Sequence, residues 1–318
     1  QCFDFKQRLP NLEVLKIAPV PFVKDVDATE LLDSLPASLK SLSLDHPWKI
    51  PLDMLHRLPS ALTELKTGIQ PAVESPFPSK IIAPVVRLHV ALEDVNTVEF
   101  LQQCLPDTLL HLTYTNSDDV DVEHMQSLPR QLLSISIQQS KISSRQAMRP
   151  TEQMLRELPP TLTALEGGVK LSPSVEGNLL TWEHIALLPR TLKILRTTFV
   201  DNGFGLPGLS FNLTPQTLPK ALLLLPPNLT DFQLPAMPAI GPDTFGLLPR
   251  SLLHFRGSRV IKSGGDLSQL PPDLETLEGA FESLNPSECI KLPKSITSLT
   301  IMRADMAEFY KLHASHAK

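Results

Sequence analysis

One phrase, Leu-Pro-x-x-Leu-x-x-Leu, recurs along the whole chain and leaves few folds open to it. It reads LPASLKSLSL from Leu35, LPSALTELKT from Leu58, LPDTLLHLTY from Leu105 and LPRQLLSISI from Leu128. It returns as LPPTLTALEG from Leu158, LPRTLKILRT from Leu188, LPPNLTDFQL from Leu225 and LPRSLLHFRG from Leu248. LPPDLETLEG from Leu270 and LPKSITSLTI from Leu292 close the series. A shortened copy, LPNLEVLKI, opens at Leu9, and a degenerate one, APVVRLHV, lies at Ala83. Self-similarity at a period of roughly 20–50 residues marks a stacked array in which each repeat contacts mainly its neighbours. The 318 residues therefore read as one elongated array and not as the roughly two globular domains that length alone suggests. The residues that recur are packing groups, so the phrase carries no catalytic signal.

Successive Leu-Pro starts lie 23 residues apart from Leu35 to Leu58 and from Leu105 to Leu128. They stretch to 30, 30 and 37 up to Leu225, then return to 23, 22 and 22. The 47-residue gap between Leu58 and Leu105 is twice the short period and makes room for the copy at Ala83. About twelve units result. Each Leu-Pro comes after a short helical segment: ATELLDS (28–34), PLDMLHR (51–57), NTVEFLQQC (96–104), DVEHMQS (121–127), TEQMLRE (151–157) and TWEHIAL (181–187). Acidic, Thr, Asp or Asn residues open most of these segments, as N-caps and first turns prefer. Proline then ends them, because it disfavours helix at the preceding residue and has no N–H to donate. Beyond the proline the residues alternate with period two. In SLKSLSL, Leu42 and Leu44 alternate with Ser41 and Ser43, which predicts a strand with one buried face.

This helix–turn–strand unit resembles the leucine-rich repeat superfamily over about residues 9–301. It is most similar to the LP-type branches, the FNIP-type repeats of amoebal proteins (LPxSLTxLxF) and the LPxxL repeats of bacterial ubiquitin-ligase effectors. The resemblance implies an α/β solenoid: a curved horseshoe with parallel strands on the concave face and short helices on the convex face. Residues 302–318, with Met306, Phe309, Tyr310 and Leu312 on one stripe, are expected to form a C-terminal capping helix. The sequence departs from the family in one respect. The Asn usual eight residues after the first strand Leu is replaced by Pro47, Gln70, Ser117, Ser140, Lys170, Val200, Met237, Val260, Glu282 and Ala304. The turns must be satisfied in some other way.

Two surfaces could carry function. Positions between the buried strand leucines face the concave side, and among them Lys66, His89, His111, Glu166, Arg196, Asp231, Arg256 and Glu278 are the candidate partner-binding residues. Either a solvated sheet face or a recognition surface would have this composition. The second surface arises from the three stretched units between Leu128 and Leu225, whose extra residues come after the strand and emerge side by side on one edge. Lys141, Arg145 and Arg149 make the first insertion basic, and Phe199, Phe204 and Phe211 make the third aromatic.

Chemistry of other kinds finds little support. Gly203, Gly205 and Gly208 match GxGxxG by letter but lack a strand–turn–helix setting. Asp119, Asp121 and Glu123 resemble the start of a calcium loop, yet His124 and Arg130 stand where Gly and Glu are needed. No zinc spacing, P-loop or nucleophile elbow occurs, so no metal, no cofactor and no catalytic residue is expected. A net charge of −5 gives no reason to expect nucleic acid, and no apolar stretch approaches the ~18 residues of a membrane span. Cys2, Cys104 and Cys289 are distant and odd in number, as in a reducing compartment, and Cys104 and Cys289 lie just before a Leu-Pro, where a small buried hydrophobe fits. The expectation is a monomeric, cytoplasmic, non-catalytic module that binds a protein partner. A secreted or surface adhesion or effector protein, with glycosylation at Asn212, is one alternative. The substrate-recognition part of a ubiquitin ligase whose N-terminal domain is missing is another.

Overall fold

Two hydrogen bonds bracket most of the Leu-Pro pairs. The leucine N–H donates to the carbonyl three residues earlier and closes the last helical turn, as Leu35 does to Leu32, Leu128 to Met125 and Leu248 to Phe245. The proline carbonyl then accepts from the leucine N–H three residues on: Pro36 from Leu39, Pro129 from Leu132, Pro249 from Leu252. The leucine between them is already extended, at φ −69 and ψ 137 in Leu35. Proline enforces that conformation on the residue before it, and so turns the chain out of the helix and towards the strand. The computed structural model that shows this describes residues 4–18, 26–72, 80–92, 95–116, 122–139, 152–167, 180–196, 211–234, 240–261, 266–281 and 290–303.

The chain divides into two compact units, Gln1–Met148 with Glu157–Leu165, and Arg149–Arg156 with Glu166–Lys318. In the first, parallel strands Val14–Ile17, Ser41–Leu44, Glu64–Gln70, Arg87–Leu92, His111–Asn116 and Ser134–Gln139 pair in sequence order. In the second, Ile194–Arg196, Asp231–Leu234, His254–Ile261, Thr276–Phe281 and Ser298–Arg303 do the same. Met302 and Arg303 thus belong to the last strand, and the remainder of the expected cap lies outside the described residues. Both units show the helix–turn–strand repeat that the sequence implies, with every strand parallel to its neighbour.

The core is the leucine of the turn and the leucines of the strand. Leu39, Leu62, Leu109 and Leu132 in the first unit and Leu192, Leu229, Leu252 and Leu274 in the second are wholly buried. Each contributes about 1.5–3 kcal/mol through burial. Phe232 and Phe255 stack in tilted contact with centroids 6.0 Å apart, at positions where the first unit has mostly leucines. Cys104 is buried as expected; burial, with Glu99 nearby, pushes its thiol up to about 12, so it is protonated and unreactive at neutral pH.

The expected helical segments are present, but Leu52–Arg57 and Trp182–Leu187 are 3-10 helices rather than α-helices. Each comes directly after a short strand, Trp48–Pro51 or Leu180–Thr181. The 3-10 form rises ~2.0 Å per residue against ~1.5 Å, so it covers more ground with the same residues before the next Leu-Pro. The N-cap expected of Asn96 is made: its side chain accepts from the Glu99 N–H.

Hydroxyls join successive Leu-Pro turns to one another. The residue just before the turn leucine is often Ser or Thr, and it donates back to main-chain carbonyls of the preceding repeat. Ser38 Oγ reaches Pro10 and Leu12, Thr161 Oγ1 reaches Arg130 and Leu132, and Ser251 Oγ reaches Pro227 and Leu229. Ser295 binds Pro272 and Leu274 in the same way, and Gln131 substitutes its amide towards Asp107. Two positions later the main chain is tied directly: Thr63 N–H to Lys40, Leu110 to Val86, Leu253 to Thr230, Thr297 to Glu275. Buried carbonyls need donors, and here each turn supplies them to the turn before it.

Candidate interaction surface

The parallel register lines up the solvent-facing side chains in rows. In the first unit one row runs Lys16, Ser43, Lys66, His89, Thr113, Ser136. The other runs Ser41, Glu64, Arg87, His111, Ser134. Each row is one residue from the next buried leucine, so the pleat that buries Leu42, Leu65, Leu88 and Leu112 turns these residues to solvent. Lys66, His89 and His111, three of the candidates read from the sequence, come together around a shallow cavity of about 430 Å³ that Lys16, Glu64 and Arg87 complete.

The charges there are loosely held. Arg87 pairs with Glu64 at 3.1 Å and Lys66 with Asp45 at 2.6 Å, but all four side chains are 31–65% exposed. Such pairs contribute only about 0–1 kcal/mol. Lys16 has no carboxylate partner in any ion pair among the described residues. Burial lowers the His89 pKa, helped by Lys66 and opposed by Asp45; burial and then Arg87 lower that of His111. Both imidazoles are therefore neutral at pH 7. His111 Nδ1 lies 2.8 Å from Ser134 Oγ, which fixes its ring.

Asp45 is a residue that the repeat phrase does not point to. It stands just beyond Leu44 at the end of a strand, and a second hollow of about 140 Å³ links it with Lys66, Gly68 and His89. That hollow exists because Trp48–Pro51 forms an unexpected strand against Gly68–Gln70. Gly68 permits the approach: a Cβ there would lie 2.9 Å from Lys49 Cγ and 3.4 Å from the Trp48 carbonyl. A glycine in a strand is the signal that close backbone approach leaves in a sequence.

The second unit presents a different face. Asp231, His254, Thr276 and Ser298 form one row; Arg196, Gln233, Arg256, Glu278 and Thr300 form the other. Asp231 is 1% exposed, and its Oδ2 accepts from Arg196 Nη2 in a very short contact. Glu166 approaches the same guanidinium at 3.8 Å, and Arg256 Nε lies 3.7 Å from Glu278. The Asp231 bond, with Glu166 nearby, raises the Arg196 pKa against the opposing effect of burial, so Arg196 stays charged at any relevant pH. Asp231 Oδ1, Arg196 Nε and Arg256 Nε are buried without a hydrogen-bond partner.

Of the insertion-edge candidates, Phe211 lies in a short strand, Phe211–Asn212, parallel to Leu180–Thr181. Lys141, Arg145, Arg149, Phe199 and Phe204 lie outside the described residues, as do Cys2, Cys289 and the glycines of the GxGxxG match. Glu123 stands in the first turn of the Val122–Gln126 helix, where its charge favours the helix dipole. Among the described residues no His, Cys, Asp and Glu side chains group as metal ligands, and no helix is long and apolar enough to cross a membrane.

No family model matches the chain, and no curated protein does. Among solved structures, the leucine-rich repeat-containing protein LegL7 from Legionella pneumophila is similar at 13% identity. The match covers 92% of this chain and 91% of that one, with a TM-score of 0.44. CroV588, a circular leucine-rich repeat protein, is similar at 19% identity over 86% of this chain and 48% of its own, with a TM-score of 0.34. Likenesses this loose carry no argument about the site; the repeat is established by the chain's own turns and strand register.

Proposed function

We propose that this protein is a non-catalytic protein-interaction module that binds a protein partner through the solvent-facing side of its parallel sheet. The observation that carries the reading is the cavity bounded by Lys66, His89, Arg87 and Lys16, because these side chains take no part in the core. Parallel repeats place one side chain per strand at a fixed height, so a partner meets an ordered row rather than scattered residues. The loosely paired charges suit the role, since they can be re-paired with a partner at small cost. Association then depends on polar complementarity over several repeats, which favours specificity and rapid encounter.

The test is affinity capture with the wild-type chain, with Lys66→Glu/Arg87→Glu in the first unit, and with Arg256→Glu in the second. All three should melt within a few degrees of one another. Partners should be lost from the first variant and kept by the second. Identical partner sets for all three chains would move binding off the sheet and towards the insertion edge around Phe211.

A further inference from the structure

Resting on that interaction reading, we propose that the cavity on the first unit takes an acidic, extended segment of the protein partner, its carboxylates bound by Lys16, Lys66 and Arg87. The charge balance is the first reason. The chain as a whole carries −5, yet the cavity is lined by three permanent cations against the carboxylate of Glu64, with Asp45 reaching Lys66 from its edge. A local excess of positive charge on an anionic protein is complementary to an anion.

The arrangement of the cations is the second reason. They do not converge on a point, as a lone phosphate would require. Lys16 and Lys66 stand in one register row two strands apart, and Arg87 stands in the neighbouring row. Strands ~4.8 Å apart place the two lysine backbones roughly 10 Å from each other. An extended peptide rises ~3.4 Å per residue and turns alternate side chains to one face, so carboxylates two or four residues apart, about 7 or 14 Å, lie within reach of the two flexible lysine side chains. Between the lysines and beyond them the rows offer Ser41, Ser43 and Thr113, which can donate to the peptide backbone or to carboxylate oxygens.

His89 and His111 sharpen the expectation. The charged and titratable groups around them are Lys16, Lys49, Lys66, Arg87, Asp45, Glu64 and His46. In the free protein burial and the neighbouring cations keep both rings neutral. A carboxylate brought into the cavity favours the imidazolium, so an acidic ligand is bound with proton uptake and more tightly as pH falls.

An unbiased peptide-display library panned on the full chain tests this without presuming a sequence. Recovered peptides should be rich in Asp and Glu. The same peptide synthesised with Asn and Gln should bind about tenfold more weakly, as loss of two or three exposed charge pairs implies. Lys16→Glu/Lys66→Glu should reduce binding at least as much, Arg256→Glu should not, and affinity should rise between about pH 7.5 and pH 6. Both lysines are exposed, so the variant should melt like wild type. Neutral or basic peptides that are lost in the lysine variant would overturn the acidic ligand and leave the interaction reading standing. Peptides that bind only when they carry phosphoserine would overturn it as well. Peptides that bind the lysine variant unchanged, or no recovered peptide at all, would overturn both for this face.

Discussion

The two units use one repeat to make two kinds of surface. In the first, the cations outnumber the carboxylates around the cavity, and their pairs with Glu64 and Asp45 are open to water. In the second, Arg196 lies between Asp231 and Glu166, and Arg256 beside Glu278, so the face neutralises itself. The contrast turns on one exposure. The Asp231 side chain is sealed at 2% exposure, whereas Glu64, the residue at the corresponding row position, has a side chain 45% exposed. A buried carboxylate must keep its cation, and a wet one can exchange it. Self-pairing therefore decides whether a charged sheet face is available to anything else.

The difference is confined to the solvent side, so the cores should respond alike. Leu112→Ala in the first unit and Leu277→Ala in the second should each cost about 2–5 kcal/mol, read from denaturant melts. A markedly smaller loss in either would mean that its core is not the common leucine stack. The polar faces should then separate the units. Asp231→Ala should cost about 2 kcal/mol, because it leaves a partly buried guanidinium only Glu166 at 3.8 Å, while Glu64→Ala should cost no more than about 1 kcal/mol. Replacing Asp231 and Arg196 together with Leu and Met should recover most of the loss; failure to recover would assign the pair a role beyond mutual neutralisation.

Acid should find the first unit before the second. His89 and His111 have pKa values below the ordinary 6.5 when folded, so from 6.5 downwards the unfolded chain binds protons that the folded one refuses. Stability then rises with pH across that window and is lost as pH falls below about 6.5. Titration of the ring protons by NMR should place both midpoints under that of an exposed histidine, and His89→Gln should flatten part of the slope. The smallest effect belongs to Asp45→Asn. It should change stability by no more than about 0.5 kcal/mol, yet it frees Lys66 and should tighten an acidic peptide two- to threefold, roughly the value of one exposed pair. Unchanged affinity would take Lys66 out of the binding row.

Much of this is legible in the letters. The leucine phase assigns each strand's buried side, and the repeated phrase aligns Lys66 with His89 and Arg256 with Glu278 across strands, as the register bears out. Period-two alternation allows only one face per residue, so those assignments follow from the phrase alone. Which charges pair is not legible. Asp231 and Glu64 occupy the same place in the phrase, and only the depth at which neighbouring side chains bury them separates a sealed pair from an open one. The Trp48–Pro51 strand is hidden too, since it pairs beyond the phrase, at Gly68, where the repeat imposes no pattern. Insertions that lack the phrase offer no phase to read.

The hydroxyl that reaches back from several of the turns has a consequence for how such a chain can change length. Ser38, Thr161, Ser251 and Ser295 all grip main-chain carbonyls, which every residue has, and never a particular side chain. A joint that recognises only backbone does not distinguish which repeat precedes it. Excising residues 105–127 would bring Gln131 against the Val85 carbonyl that Thr108 now holds, and Ser134 beside Arg87. A folded, shorter protein with an unbroken cooperative melt is the expected outcome, and an aggregated one would show that the joints are private after all. Repeats joined in this way are interchangeable parts, free to be copied, lost or reordered while the side chains on the open face diverge.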